Sequence, residues 1–161
     1  MKKLSLIIFA IFVLAGAAFS QVEKGDINLS GSLSFTKVAD LDGMGIFEAK
    51  GGYYFSQNLE LGGNLNITFG ETPVTGIGPY ATYNFLTQDA KLLPYAGANL
   101  LFLFSDNVNA TALGVNGGAK YFLNESVNVD AGISFLQGFG DIDGSLFIMR
   151  VGIGFILGDL K

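Results

Sequence analysis

Hydrophobic and polar residues alternate along most of this chain. In "DINLSGSLSFT" the apolar residues Ile27, Leu29, Leu33 and Phe35 share one parity, while Asn28, Ser30, Ser32, Ser34 and Thr36 share the other. In "NLELGGNLNITF" Leu59, Leu61, Leu65, Ile67 and Phe69 alternate with Glu60, Asn64, Asn66 and Thr68, and "VNVDAGISF" repeats the pattern. A period of two places one set on each face of a β-strand. Helical periodicity is hard to find beyond residue 20, and the alternation predicts eight strands, over 26–37, 45–55, 58–69, 75–86, 92–104, 110–123, 127–136 and 145–157.

A strand apolar on one side and polar on the other fits two environments. In a soluble sheet the apolar face is the core. In a membrane barrel it meets lipid, and the polar face lines the lumen. The segments have about the 9–11 residues of a tilted membrane strand. Their number is even, so an up-and-down sheet can close and leave no unpaired edge, as lipid requires. The predicted fold is therefore all-β, an eight-stranded antiparallel up-and-down transmembrane barrel. Pro79 and Pro94 each remove a ladder donor from a predicted strand, so a bulge or strand end is expected at each.

Three connections repeat a local pattern in which aromatic residues precede a short polar turn and a new alternating strand: "YYFSQNLELGGNL", "YNFLTQDAKLLPYAGANL" and "YFLNESVNVDAGI". Tyr53, Tyr54, Phe55, Tyr83, Phe85, Tyr121 and Phe122 then fall at one end of the barrel. An aromatic girdle at the headgroup level has that composition; β-propensity alone is the plainer reading. The other four connections carry Asp40, Asp42, Glu71, Asp106, Asp141 and Asp143 and no basic residue. With both termini in the periplasm these are the extracellular loops, a place for an extracellular ligand. "ADLDGMG" and "GDIDGS" lie in the first and last of them, so Asp40, Asp42, Asp141 and Asp143 could converge on a divalent cation. Asp-Gly is also ordinary hairpin chemistry.

The polar parity places six charges inside, Glu48, Lys50, Glu60, Lys120, Asp130 and Arg150, three of each sign. Lys120 and Asp130 are equidistant from the turn near Glu125 and should face each other, and Arg150 and Glu48 sit at matching heights on the strands that flank the first. An eight-stranded barrel is just wide enough for side chains to fill. Charges there need partners, so these residues read either as lumen ion pairs that plug the barrel or as a gate for ions or protons.

"MKKLSLIIFAIFVLAGAAFS" has a basic start, an apolar run from Leu4 to Leu14, and small residues Ala18 and Ser20 before Gln21. It predicts a cleavable signal peptide over 1–20 and a barrel domain over 21–161. The run is short for a spanning helix. The 161 residues contain no cysteine and no histidine, which removes disulfides, thiol nucleophiles, the usual zinc sites and Ser-His-Asp catalysis. No cofactor is expected. A net charge of −5 argues against nucleic acid as a partner.

The leader together with "GYYFSQNLELG", "GIGPYATYNF", "LPYAGANL", "GGAKYFLNESVNVDAGISF" and "RVGIGF" resembles the small outer-membrane β-barrel domain family common in Bacteroidetes, related to the OmpA/OmpX and opacity-protein barrels. The resemblance implies a monomer in the outer membrane of a Gram-negative bacterium, surrounded by outer-membrane lipid, assembled by the barrel-assembly machinery and without an enzymatic role. A structural or surface-interaction protein of the cell envelope is the leading function. A narrow porin-like pore for ions or small apolar solutes, as in OmpW-like barrels, is the alternative. A soluble periplasmic lipocalin-like carrier would need the apolar parity to face inward.

Overall fold

The computed structural model describes residues 22–36, 44–70, 73–89, 91–105, 108–141 and 144–158. The leader at 1–20 lies outside them, as do Asp40, Asp42, Glu71, Asp106 and Asp143. The alternating segments form eight strands: β1 (Ile27–Thr36), β2 (Met44–Tyr54), β3 (Leu59–Phe69), β4 (Val74–Asn84), β5 (Leu92–Ser105), β6 (Val108–Phe122), β7 (Val127–Gly140) and β8 (Gly144–Leu157). β7 runs four residues beyond its expected end, because "QGFG", which reads as a loop, continues the ladder through Gln137 opposite Ser145.

Each strand pairs antiparallel with its sequence neighbours, and β1 pairs with β8 to close the barrel. Ladder partners can be followed from Ile156 on β8 through Asn28, Gly52, Gly62, Tyr80, Asn99, Gly114 and Leu136. The walk returns to β8 at Leu146, ten positions from its start. A stagger of that size over eight strands tilts them by roughly 40° to the barrel axis.

The apolar parity faces outward. Leu33, Phe35, Met149 and Val151 are 55, 82, 67 and 62% exposed, while Asn28, Ser32, Ser34, Glu60, Asn64, Lys120 and Arg150 on the opposite parity are buried. The soluble-carrier reading is overturned by this: a protein in water would leave its whole belt of Leu, Ile, Val and Phe unburied.

The two prolines behave differently. Pro94 is the third residue of β5 and pairs with Ala119 on β6. On its other side it lies beyond the last β4–β5 pair, Asn84 with Tyr95, where its carbonyl accepts from the Phe85 amide, so the ladder that would need its missing donor has already ended. At Pro79 there is neither bulge nor end. The β4–β5 ladder pairs Ile77 with Phe102, skips Gly78 and Pro79, and resumes at Tyr80 with Asn99 in unchanged register. Gly78 permits this: a Cβ there would lie 1.8 Å from the Leu100 carbonyl oxygen, so only a glycine lets the two backbones approach.

The turns at the end that carries the termini are held by short side chains. Asn124 Oδ1 accepts from the amides of Ser126 and Val127 at 2.9 Å each, and Asp89 Oδ1 accepts from that of Lys91 at 2.9 Å. Asx turns of this kind restart a strand after few residues. At the same end Gly25, with φ +104°, turns the chain so that Val22 enters the barrel mouth.

Candidate functional site

Among the described residues, charge gathers in the lumen. Glu60 near the start of β3 is its most enclosed acid, 1% exposed. Its Oε1 accepts from Asn28 Nδ2 at 2.7 Å and from the Tyr80 hydroxyl, and its Oε2 accepts from Lys120 Nζ at 2.8 Å. Lys120 also donates to the Tyr54 hydroxyl at 2.8 Å. Four strands besides β3 therefore converge on one carboxylate and its cation. Every charge in this layer has its partner in hydrogen-bond contact, as burial requires.

A second network surrounds Arg150 on β8. Nη1 donates to Glu48 Oε1 at 3.1 Å and to Ser134 Oγ at 3.3 Å, while Nη2 donates to the Tyr95 hydroxyl at 2.8 Å. Tyr95 in turn donates to Asp130 Oδ1 at 2.7 Å. Lys50 Nζ shares Glu48 Oε1 at 3.0 Å. The rings of Tyr80 and Tyr95 join the two networks, since Lys50 lies over Tyr80 at 5.4 Å and both Lys120 and Arg150 lie near Tyr95 at 5.8 Å.

Pairs of glycines make room for these rings. Gly52 and Gly62 are direct partners beneath Tyr80, and a Cβ on either would lie 2.2 or 2.8 Å from a Tyr80 atom. Gly118 and Gly132 are partners beneath Tyr95, where a Cβ would lie 2.6 or 2.7 Å from the hydroxyl. The missing side chains are what allows a lumen this narrow to hold two tyrosines.

Apolar layers close the charged zone on both sides. Toward the termini, Val22, Tyr54, Leu93, Phe122 and Ile156 form a buried cluster. Toward the other end, Ile46, Leu101 and Ile148 follow Glu48, Asn99 and Arg150 on their strands and are also buried. Between that layer and the Arg150 network lies a cavity of about 20 Å³, lined in part by Ser34, Glu48, Asn66, Asn99, Ser134 and Arg150. It has room for about one water molecule.

All six lumen charges expected from parity face inward, but one expected pairing is redistributed. Lys120 and Asp130 are ladder partners. Lys120 nevertheless bonds Glu60, and Asp130 accepts from Tyr95, because the stagger of the barrel brings β3 and β6 side chains together across a narrow lumen. Two members of the expected girdle are displaced as well. Tyr54 and Phe122 are fully buried inside the mouth, since residues adjacent to outward-facing Tyr53 and Tyr121 must point inward. Tyr53, Phe55, Tyr83 and Tyr121 face outward, with Tyr53 edge-on to Phe55 and Tyr83 edge-on to Phe85 at 5.0 and 5.2 Å. The Asp141 carboxylate accepts from the Asn109 amide at 3.2 Å. Among the described residues no group of three or more acids is placed to hold a metal.

A family model described as the outer membrane protein beta-barrel domain matches residues 6–155. The chain belongs to this family. It is a barrel of the Gram-negative outer membrane, and its apolar outer wall is the surface that meets lipid. The N-terminal β-barrel domain of Pseudomonas aeruginosa OprF superposes with a TM-score of 0.68 at 19% identity, over 84% of this chain and all of that one. Neisserial surface protein A superposes at 0.62 with 17% identity, over 83% of this chain and 97% of its own. OprG of Pseudomonas aeruginosa superposes at 0.57 with 14% identity, over 88% of this chain and all of its own. These likenesses concern the fold. No curated protein sequence matches this one.

Several features of this outer-membrane barrel escape a reading by charge alone. Tyr80 and Tyr95 bridge the ion pairs, and their inward parity with Thr82 and Gly97 was the available signal. The rim opposite the tyrosines carries phenylalanine: Phe35, Phe69, Phe104 and Phe139 stand outward at or beside the ends of β1, β3, β5 and β7. Each strand that runs away from the termini thus bears an outward Phe as its last or next-to-last residue. Of the returning strands, β2, β4 and β6 bear an outward Tyr next to their last residue.

Proposed function

We propose that this chain is a structural protein of the outer membrane with a surface-interaction role, whose lumen is sealed by its own side chains and carries no catalytic machinery. The observation that supports this most is the order of layers inside the barrel. A buried Glu60–Lys120–Tyr54 network is followed by an apolar stopper of Val22, Leu93, Phe122 and Ile156, so an ion would have to break charge-assisted bonds and then cross a dry constriction. In this reading Tyr53, Phe55, Tyr83, Phe85 and Tyr121 anchor the barrel at the headgroup level, and the six lumen charges serve packing and register.

The second reading, a narrow pore for ions or small apolar solutes, draws on the small cavity beside Arg150. One experiment separates the two. The full chain, extracted in mild detergent and shown to be folded by a boiling-dependent gel shift, is incorporated into planar bilayers. Conductance equal to protein-free membranes is expected; discrete channel openings would replace the structural reading with the pore.

A further inference from the structure

The outer wall is recessed over β4 and β5. Ala81 on β4 and Ala98 on β5 are direct partners and both face outward. Over them lies a depression of about 440 Å³ bordered by Leu61, Pro79, Leu100 and Leu113. Its cause is local: Pro79 interrupts the β4–β5 ladder, and two methyl groups stand on the face where the Ile77–Phe102 pair of the same ladder carries long side chains.

The depression is continuous with the lipid-facing belt, and the side chains that border it are hydrocarbon. A gap on such a surface forfeits dispersion contacts unless hydrocarbon fills it. A second barrel is a poor occupant, because two convex walls touch along a line and bury little of the area that a stable interface needs. Tyr83, two residues from Ala81 on the same face of β4, stands at the tyrosine rim, where a phospholipid headgroup lies when its chain runs along the wall. We propose that this depression binds one acyl chain of a phospholipid from the leaflet that meets the tyrosine rim, held lengthwise over Ala81 and Ala98.

The test is electron spin resonance of phosphatidylcholine labelled near the chain end, with the full-length protein in bilayers of the same lipid. Ala98→Phe fills the depression, and Val129→Phe adds a ring to the outward face of β7 between Tyr121 and Ile153. The expected result is that Ala98→Phe removes about one motionally restricted chain per barrel and Val129→Phe removes none. Equal counts in the two variants would overturn the proposal. So would disulfide-linked dimers of Ala98→Cys in dilute bilayers, since the chain has no other cysteine and such dimers would identify a second copy as the occupant. Both Phe variants are first checked for the boiling-dependent gel shift, and Ala81→Leu fills the same space from β4 if Ala98→Phe does not fold.

Discussion

Lys120 stands directly opposite Asp130 in the β6–β7 ladder, yet its ammonium reaches to Glu60 on β3, 2.8 Å away. The choice is set by the surroundings. Glu60 is already held by Asn28 and Tyr80 in the most buried layer, whereas Asp130 is served by the Tyr95 hydroxyl. Lys120→Met leaves a buried carboxylate without its cation and should lower stability by about 3–5 kcal/mol. Urea unfolding of the refolded barrel in detergent measures it, and Glu60→Leu added to Lys120→Met should recover part of the loss. A Lys120→Met variant as stable as the parent would mean that the pair contributes nothing.

Gly62 and Gly63 are neighbours in sequence but face opposite sides of the wall. A Cβ on Gly62 would lie 2.1 Å from the Gly51 carbonyl oxygen and 2.8 Å from the Tyr80 ring, whereas one on Gly63 would meet nothing nearer than 3.9 Å. Gly62→Ala should therefore cost about 1–3 kcal/mol or prevent folding. Gly63→Ala should fall within about 0.5 kcal/mol of the parent. The folded fraction on unboiled gels compares the two, and similar losses would show that the clash at Gly62 is relieved by backbone movement.

Val151 lies on the outer wall between its partners Leu33 and Ala131. Arg at this position, in the middle of β8, would sit in hydrocarbon, so Val151→Arg should destabilise the barrel by about 2–4 kcal/mol in bilayers. Denaturant titration in liposomes reads the loss. A change near zero would be at odds with lipid around this face.

Val22 is the innermost residue of the N-terminal turn, which is tied to β2 by bonds from the Gly25 amide to the Tyr54 carbonyl and from the Tyr54 amide to the Asp26 carbonyl, 2.9 Å each. Val22→Asp puts a carboxylate among Tyr54, Leu93, Phe122 and Ile156, which should expel the turn from the mouth. Hydrogen exchange should then quicken at the Gly25 and Tyr54 amides while mid-strand amides such as Phe47 stay protected. Unchanged exchange at those two amides would show that the turn is held by its backbone bonds alone.

The alternation in "DINLSGSLSFT" and "NLELGGNLNITF" by itself determined that these segments are strands, how many there are and which residues share a face, because a strand of period two carries its parity with it. The inward charges and the outward Leu and Phe belt followed from the same parity. Where consecutive aromatics broke the alternation, as at Tyr53–Tyr54 and Tyr121–Phe122, grouping by type was misleading and parity was right. What only the tertiary structure decided is which residues on distant strands meet. The ten-residue stagger over eight strands set Lys120 against Glu60, hung Tyr80 and Tyr95 over their glycine pairs and folded Val22 into the mouth. Those contacts depend on the closure and tilt of the whole sheet, a property that no single strand contains.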